Sequence, residues 1–376
     1  MTIEAATVTV NRMPAITWHK FKINEAEVSF SAMEEAGGGA IEAIVPAGIV
    51  EDSSAFDAAL SSAEGAASQW ETGMGEVAHG IFSNVAARHI GVVAPAGTTC
   101  EEPVVVRVNA EDGACALALL DVVAQAHSRI HVAVHVDSPL GGTGVAGVET
   151  RVFAAEGANV DIEFVQTLDA TWQHLDNFGA HLEDGARLNA SQTVLGAAES
   201  YTGFACNLSG RESEAVVETR YLGHGANKID FNYIMRQRGV QSTCTLSANG
   251  VLMDSSAKVL RGTIDLVHGA KGAIGQENET VLLVSDDVSN KTVPILLCDE
   301  DDVQGAHGAT IGHVNPEQLG YMQTRGLTPD QTEDLFAVAA FDYARLHAFD
   351  DAVRAAVERL GGEVLGDAYR LLQDED

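Results

Sequence analysis

The feature that most limits how this chain can fold is the stretch 86–312, where short β-branched or alternating runs recur with no long helical segment between them. VVVRV (104–108), RIHVAVHV (129–136), NVDIEFVQTL (159–168), RLNASQTVLG (187–196), AVVETRYLG (215–223), STCTLSANGVL (242–252), KVLRGTIDLV (258–267) and TVLLV (280–284) all read this way. Alternation with period two marks strands with one buried face. Between the runs the chain turns at Gly-Ala pairs: Gly113-Ala114, Gly157-Ala158, Gly185-Ala186, Gly225-Ala226 and Gly269-Ala270. Glycine supplies a positive-φ corner and alanine tolerates crowding. Such a stretch excludes a doubly wound fold. It leaves a large β-sandwich, a propeller or a solenoid of stacked coils. Inexact spacing and few Pro-Gly turns favour the solenoid, a parallel β-helix, although Asn249-Gly250 is a hairpin signal.

The flanks differ. Residues 1–85 read as a mixed α/β region, with an extended segment at 14–24 and a small-residue-rich, partly helical segment at 51–73. Residues 313–376 switch to helical period. Leu319, Met322 and Gln323 share a face in NPEQLGYMQTRG (315–326). Thr328 then caps a second helix, with Pro329 at its first position and Gln331 completing a capping box. Its expected apolar stripe is Leu335, Val338, Ala339, Tyr343 and Leu346. A third helix over about 350–360 is expected to stop at Gly361-Gly362, followed by a short helix, EVLGDAYRLLQ. The expected division is therefore 1–85, 86–312 and 313–376.

A net charge of −32 argues against binding nucleic acid through its phosphates or adhering to anionic membranes. No apolar run is long enough for a transmembrane helix. MTIEAATVTV lacks the basic start and apolar core of a secretory signal, so a cytoplasmic location is expected. The five cysteines (Cys100, Cys115, Cys206, Cys244, Cys298) are scattered and include no CxxC pair, which reads as reduced thiols rather than a disulfide framework. No GxxxxGK[ST] phosphate loop, GxSxG elbow or HExxH motif occurs.

The residues that could carry chemistry lie in KTVPILLCDEDDVQGAHGATIGH (291–313). If the strand ending this apolar run persisted, Leu296, Cys298, Glu300 and Asp302 would share one face. His307 follows among glycines and alanines. Thiolate, carboxylate and imidazole are the side chains that hold iron or zinc. The same residues are also compatible with a packed cysteine, a solvated acidic edge and a hydrogen-bonding histidine. His131 and His135 share a strand face, Lys258 and Arg261 point to opposite faces, and Cys244 reads as core.

Four segments resemble the SufB/SufD family of iron–sulfur cluster assembly scaffolds: PAITWHKFKIN (14–24), residues 225–266, GAIGQENETVLLVSDD (272–287) and VPILLCDEDDVQGAHGATIGHVNPEQLGYMQTRGL (293–327). The resemblance implies a right-handed parallel β-helix between an N-terminal region and a C-terminal helical domain. It implies a non-enzymatic scaffold that dimerises through the β-helix, as a homodimer or a SufB/SufD-type heterodimer. A SufC-like ABC-type ATPase would dock on the C-terminal helices, around Leu327, Leu335, Phe336 and Phe341. A cysteine desulfurase or other sulfur donor would feed a transient 4Fe-4S cluster at the dimer interface. His307 matches the family's interface histidine. The cysteine typical of the two or three positions before it is replaced by Gln304, Gly305 and Ala306, so Cys298, with Glu300 or Asp302, is the thiol the resemblance leaves for the role. The rival functions are a SufD-like structural partner without its own cluster and a β-helix carbohydrate lyase or esterase. The latter predicts secretion and an aromatic-lined groove, against an aromatic content of only 6%.

Overall fold

In the computed structural model, which describes residues 6–16, 19–30, 39–313, 315–366 and 369, the centre of the chain is a parallel β-solenoid. Successive strands alternate between two nine-stranded sheets, so each coil adds one strand to each. One sheet runs from Gly39–Ile44 through Val104–Ala110, Arg129–Asp137, Asn159–Thr167, Arg187–Val194, Glu214–Gly223, Thr243–Leu252 and Ile274–Leu283 to Gln304–His313. The other runs from Val50–Glu51 and Arg88–Ala94 through Cys115–Ala124, Gly144–Ala154, Trp172–Leu182, Glu199–Leu208, Lys228–Gln237 and Ala257–Leu266 to Ser289–Cys298. Neighbours are parallel and in register, except that Gly39–Ile44 and Val50–Glu51 lie antiparallel on the first coil.

The Gly-Ala pairs are the corners. Gly113, Gly157, Gly185, Gly225 and Gly269 all have positive φ. The following alanine is buried at 114, 158, 186 and 270; at the fourth corner Ala226 is exposed and Asn227 turns inward instead. Asn249-Gly250 is not a hairpin: both residues lie inside Thr243–Leu252. A Cβ on Gly250 would sit 2.0 Å from the Tyr221 ring, so the glycine makes room for an aromatic on the next rung.

The second sheet is covered on its outer face by the N-terminal region. Helices Ala55–Ser62 and Glu76–Val85 and the antiparallel pair Ala6–Val10/Ala26–Phe30 pack on it through Phe56, Leu60, Ala78, Phe82, Val10 and Val28. Buried polar ties reinforce this: Arg261 donates to Asp230 and to the Ile23 carbonyl, and the Asn11 amide donates to Asp230 Oδ1 at 2.7 Å. Lys258, three residues earlier, points into the lumen, on the opposite face as expected. The segment 14–24, expected to be extended, contains a single 3-10 turn at His19–Phe21, and Thr17-Trp18 lie outside the described residues.

At the C-terminus, Thr328 caps the helix Pro329–Leu346 in a capping box with Gln331. Its buried stripe is Thr332, Ala337, Val338, Phe341 and Ala344, packed on Val165, Leu195, Leu222 and Met253. The expected stripe was rotated from this: Ala339 is exposed and Leu346 is 67% exposed. The last helix, Asp351–Leu365, runs through Gly361-Gly362 rather than stopping there. A Cβ on Gly361 would lie 2.8 Å from the Tyr369 ring, so this glycine serves a close contact, and the helix ends at Gly366, at φ 55°. Most of the expected short helix, 367–368 and 370–373, lies outside the described residues. No helix among the described residues is long and apolar enough to cross a membrane.

Candidate functional site at the open end of the solenoid

Ser289–Cys298 and Gln304–His313 form the last coil, and each is the edge strand of its sheet. Register assigns their faces. Asn290, Thr292, Pro294, Leu296 and Cys298 stand over Lys258, Leu260, Gly262, Ile264 and Leu266, whose apolar members line the lumen. Gly305, His307, Ala309, Ile311 and His313 stand over Gly275, Glu277, Glu279, Val281 and Leu283. Gly305 confirms the assignment, since a Cβ there would meet Leu296 and Leu266. Cys298 and His307 thus both face the lumen. Both are exposed because no further coil covers them.

The strand ends at Cys298, so Glu300 and Asp302 do not continue its face, contrary to the alternation expected; they belong to the turn 299–303. Glu300 Oε2 accepts from the Gly269 amide at 2.9 Å and Oε1 from the Asp301 amide at 3.1 Å. These contacts, Gly269 foremost, hold its carboxyl below the usual range. The Cys298 thiol donates to the Glu300 carbonyl at 3.3 Å. Asp302 is exposed, and its backbone carbonyl accepts from the Gly272 amide at 2.6 Å. Pro294 shares the inner row of Ser289–Cys298, four residues before Cys298, and stands over Gly262. A Cβ added to Gly262 would meet Glu277, the residue beneath His307. Cys298 and His307 are therefore offset by about four residues, roughly 13 Å along the strands. Among the described residues no group of three or more His, Cys, Asp and Glu is placed to hold a metal ion.

Directly beneath lies a polar cluster that the motif reading missed. Glu277, Glu279 and Lys258 are all at most 3% exposed. Glu279 is fully engaged: it pairs with Lys258 and accepts from Tyr221 at 3.2 Å and from Thr292 at 2.6 Å. Glu277 is not, since its Oε2 has no hydrogen-bond partner. Burial, then the neighbouring Glu279, push its carboxyl up to about 7. Burial lowers the Lys258 ammonium despite its partner. Farther inside, Asp176 is pushed up to about 8 and His174 down to about 3, both by burial. The signal was present as QENET, where Glu277 and Glu279 occupy alternate positions of a strand, hence one face.

His131 and His135 do share a face, the outer one. His131 lies 3.7 Å from Glu163, whereas buried His135 meets Thr167 at 2.9 Å and is pushed down to about 4 by burial. Cys244 is core.

The chain has relatives among known proteins. The family model described as "SUF system FeS cluster assembly, SufBD core domain" matches residues 106–340, more than half of the chain. The chain belongs to this SufBD family of the SUF iron–sulfur cluster assembly system. It is 26% identical over 216 residues to the iron-sulfur cluster assembly protein SufD of Bacillus subtilis, covering 57% of this chain and 49% of that one. It is 32% identical over 114 residues to a SufBD family protein of Pyrococcus horikoshii, covering 30% and 25%. With SufD of Escherichia coli the identity is 29% over 89 residues, covering 24% and 21%. The matched regions thus span about half or less of these relatives' lengths.

Proposed function

We propose that this chain is a scaffold subunit of a SUF-type complex and that two copies meet through the open last coil, holding a nascent iron–sulfur cluster between them. One observation carries the reading: two ten-residue edge strands expose an inner row containing Cys298 and His307. Ten residues of unpaired backbone form a template for another strand. A two-fold axis through such an edge doubles the ligands, supplying two thiolates and two imidazoles where one chain supplies one of each. Asp302 is a further oxygen donor, as is Glu300 once its contact with Gly269 is released. Thiolates bind only when deprotonated, so iron binding would release protons.

In this reading the chain binds and positions rather than turning over a substrate, and works in the cytoplasm. Sulfur comes from a cysteine desulfurase or another donor, and the cluster is a transient 4Fe-4S cargo. A SufC-like ABC-type ATPase docks on the C-terminal helices and moves the two halves of the interface on closing. The helix Pro316–Thr324 buries none of its residues, and Tyr321 is 54% exposed, which makes it the favoured contact. Leu327, Leu335 and Phe336 are part-exposed and remain candidates, but Phe341 is fully buried and is withdrawn from the docking face. Anaerobic reconstitution with iron and sulfide tests the scaffold role. The wild type should develop the charge-transfer absorbance of a cluster, and Cys298→Ser should lose it with unchanged thermal unfolding. A wild type that assembles nothing alone, but does so when mixed with a SufB-like subunit, would assign the SufD-like structural role instead.

A further inference from the structure

We infer that Glu277 and His307, stacked on adjacent rungs of the last two coils, form a loading site for a divalent cation of the iron(II) class, distinct from the thiol end of the coil. The inference deepens the scaffold reading and rests on it.

Glu277 is 3% exposed, and its Oε2 has no partner. A buried carboxylate without a partner is costly, and a native structure that retains one calls for an explanation. Its neighbour provides the contrast. Glu279, equally buried, is engaged by Lys258, Tyr221 and Thr292. Lys258, the one lumen cation of this cluster among the described residues, is therefore already committed, and the charge that Glu277 lacks is positive.

The opposite wall is shaped for the carboxylate. A Cβ on Gly262 would lie 2.1 Å from Glu277 Oε1 and 2.7 Å from Oε2. Gly262 does not have positive φ, so its missing side chain provides space rather than backbone freedom. Above Glu277 the register places His307, on the same inner face and about 4.8 Å away along the ladder. Its inner-row neighbours are Gly305 and Ala309, too small to cover the imidazole, and the strand is exposed to solvent.

One carboxylate and one imidazole suit a borderline divalent ion, with the remaining positions filled by water. Two protein ligands make a weak, exchangeable site, which is what delivery rather than storage requires. Cys298 lies about 13 Å farther along the strand, so iron here is held apart from the thiol.

The test is titration of the full-length protein with ferrous iron alone, anaerobically and without sulfide, against a colorimetric chelator. The wild type should bind one iron per chain. Glu277→Gln and His307→Ala should each weaken binding at least tenfold, while His131→Ala, which removes an imidazole from the outer face of the same sheet, should bind as the wild type does. Wild-type affinity in Glu277→Gln, or no iron bound by the wild type, overturns the inference. Should Glu277→Gln fail to fold, Gly262→Ala fills the same space from the opposite wall and must weaken binding likewise. A wild type that assembles no cluster in reconstitution, alone or with a SufB-like subunit, would sink the scaffold reading while leaving the iron-binding result intact, so the two failures are distinguishable.

Discussion

The two ends of the solenoid solve the same problem in opposite ways. A stack of parallel strands has an edge at each end, and an edge is a template for further pairing. At the N-terminal end the chain closes its own stack with antiparallel strands of six and two residues, Gly39–Ile44 and Val50–Glu51. Short strands running against the stack stop its growth. At the C-terminal end both edge strands keep the full ten residues and the parallel register. The lumen changes in parallel. Early coils are lined by Val104, Val106, Leu120, Val132 and Val148, whereas later ones carry Asp176, Tyr221, Lys258, Glu277 and Glu279. A purely structural solenoid would be capped and greasy throughout. This one is capped at one end only, and its lumen turns partly polar toward the other, which fits the proposed assembly there.

The sharpest way to break this comparison is to charge the open end. Leu296 (39% exposed) and Ile311 (45% exposed) lie on the inner rows of the two edge strands. Replacing both with Asp places four added negative charges at a two-fold interface and should weaken dimerisation by more than a hundredfold, or about 3 kcal/mol. Thermal unfolding of the monomer should barely change, because the substituted side chains are already half exposed. Sedimentation equilibrium reads the result. A dimer that survives these charges, or that dissociates when Ile44 at the opposite end is changed to Asp, would place the interface elsewhere.

The C-terminal helices separate in the same manner. Phe341 is fully buried against the solenoid, so Phe341→Ala should cost about 3–5 kcal/mol of stability. Tyr321 projects into solvent, and Tyr321→Ala should leave stability alone while weakening capture of the ATPase subunit about tenfold. Equal capture by Tyr321→Ala and the wild type would move the docking surface off Pro316–Thr324.

The contrast between the two halves of the lumen predicts a pH signature confined to the later coils. Asp176, with its carboxyl raised to about 8, is neutral in the folded chain at pH 6 and ionised in the unfolded one. The unfolded state therefore binds fewer protons, and stability falls as pH rises from about 4 to about 8, with the full loss present above that. Asp176→Asn preserves the shape beside Gln192 and removes this dependence. Between pH 5 and pH 9 the variant should lose less stability than the wild type, by up to about 4 kcal/mol. Parallel unfolding curves at both pH values would place the ionisation elsewhere.

How much of this was legible follows from which faces meet water. The alternating runs visible in the sequence belong, apart from 258–267, to the sheet with a partly solvated outer face; Arg187–Val194, with every second residue buried, is typical. In the covered sheet Cys115–Ala124 is buried at every position, so period two is erased and the strand reads as an undifferentiated apolar run. The capping box at Thr328 was legible because it is local chemistry. Gly361 was misread because its purpose, the contact with Tyr369, depends on tertiary packing. At the site, Cys298 and His307 stood out as residue types, whereas Glu277 was hidden, since its importance comes from the rungs above and opposite it rather than from any motif.

The smallest expected effect refines the comparison within the last coil itself, between its rungs and its turn. Cys298 and His307 sit on rungs, fixed by ladder hydrogen bonds, whereas Glu300 sits in the turn with both oxygens already accepting backbone amides. To bind iron it must surrender the Gly269 amide, and the gain is set against that loss. Glu300→Ala should therefore lower cluster yield in reconstitution by less than twofold and leave ferrous iron binding at the wild-type level. Its main consequence should be a slightly lower melting temperature, as the turn 299–303 loses its tie to the corner at Gly269. If Glu300→Ala instead abolished the cluster as Cys298→Ser is expected to, the turn would have to reorganise on assembly. Glu300 would then rank with the rung residues as a ligand, and the rigid open coil would give way to one that folds around its cargo.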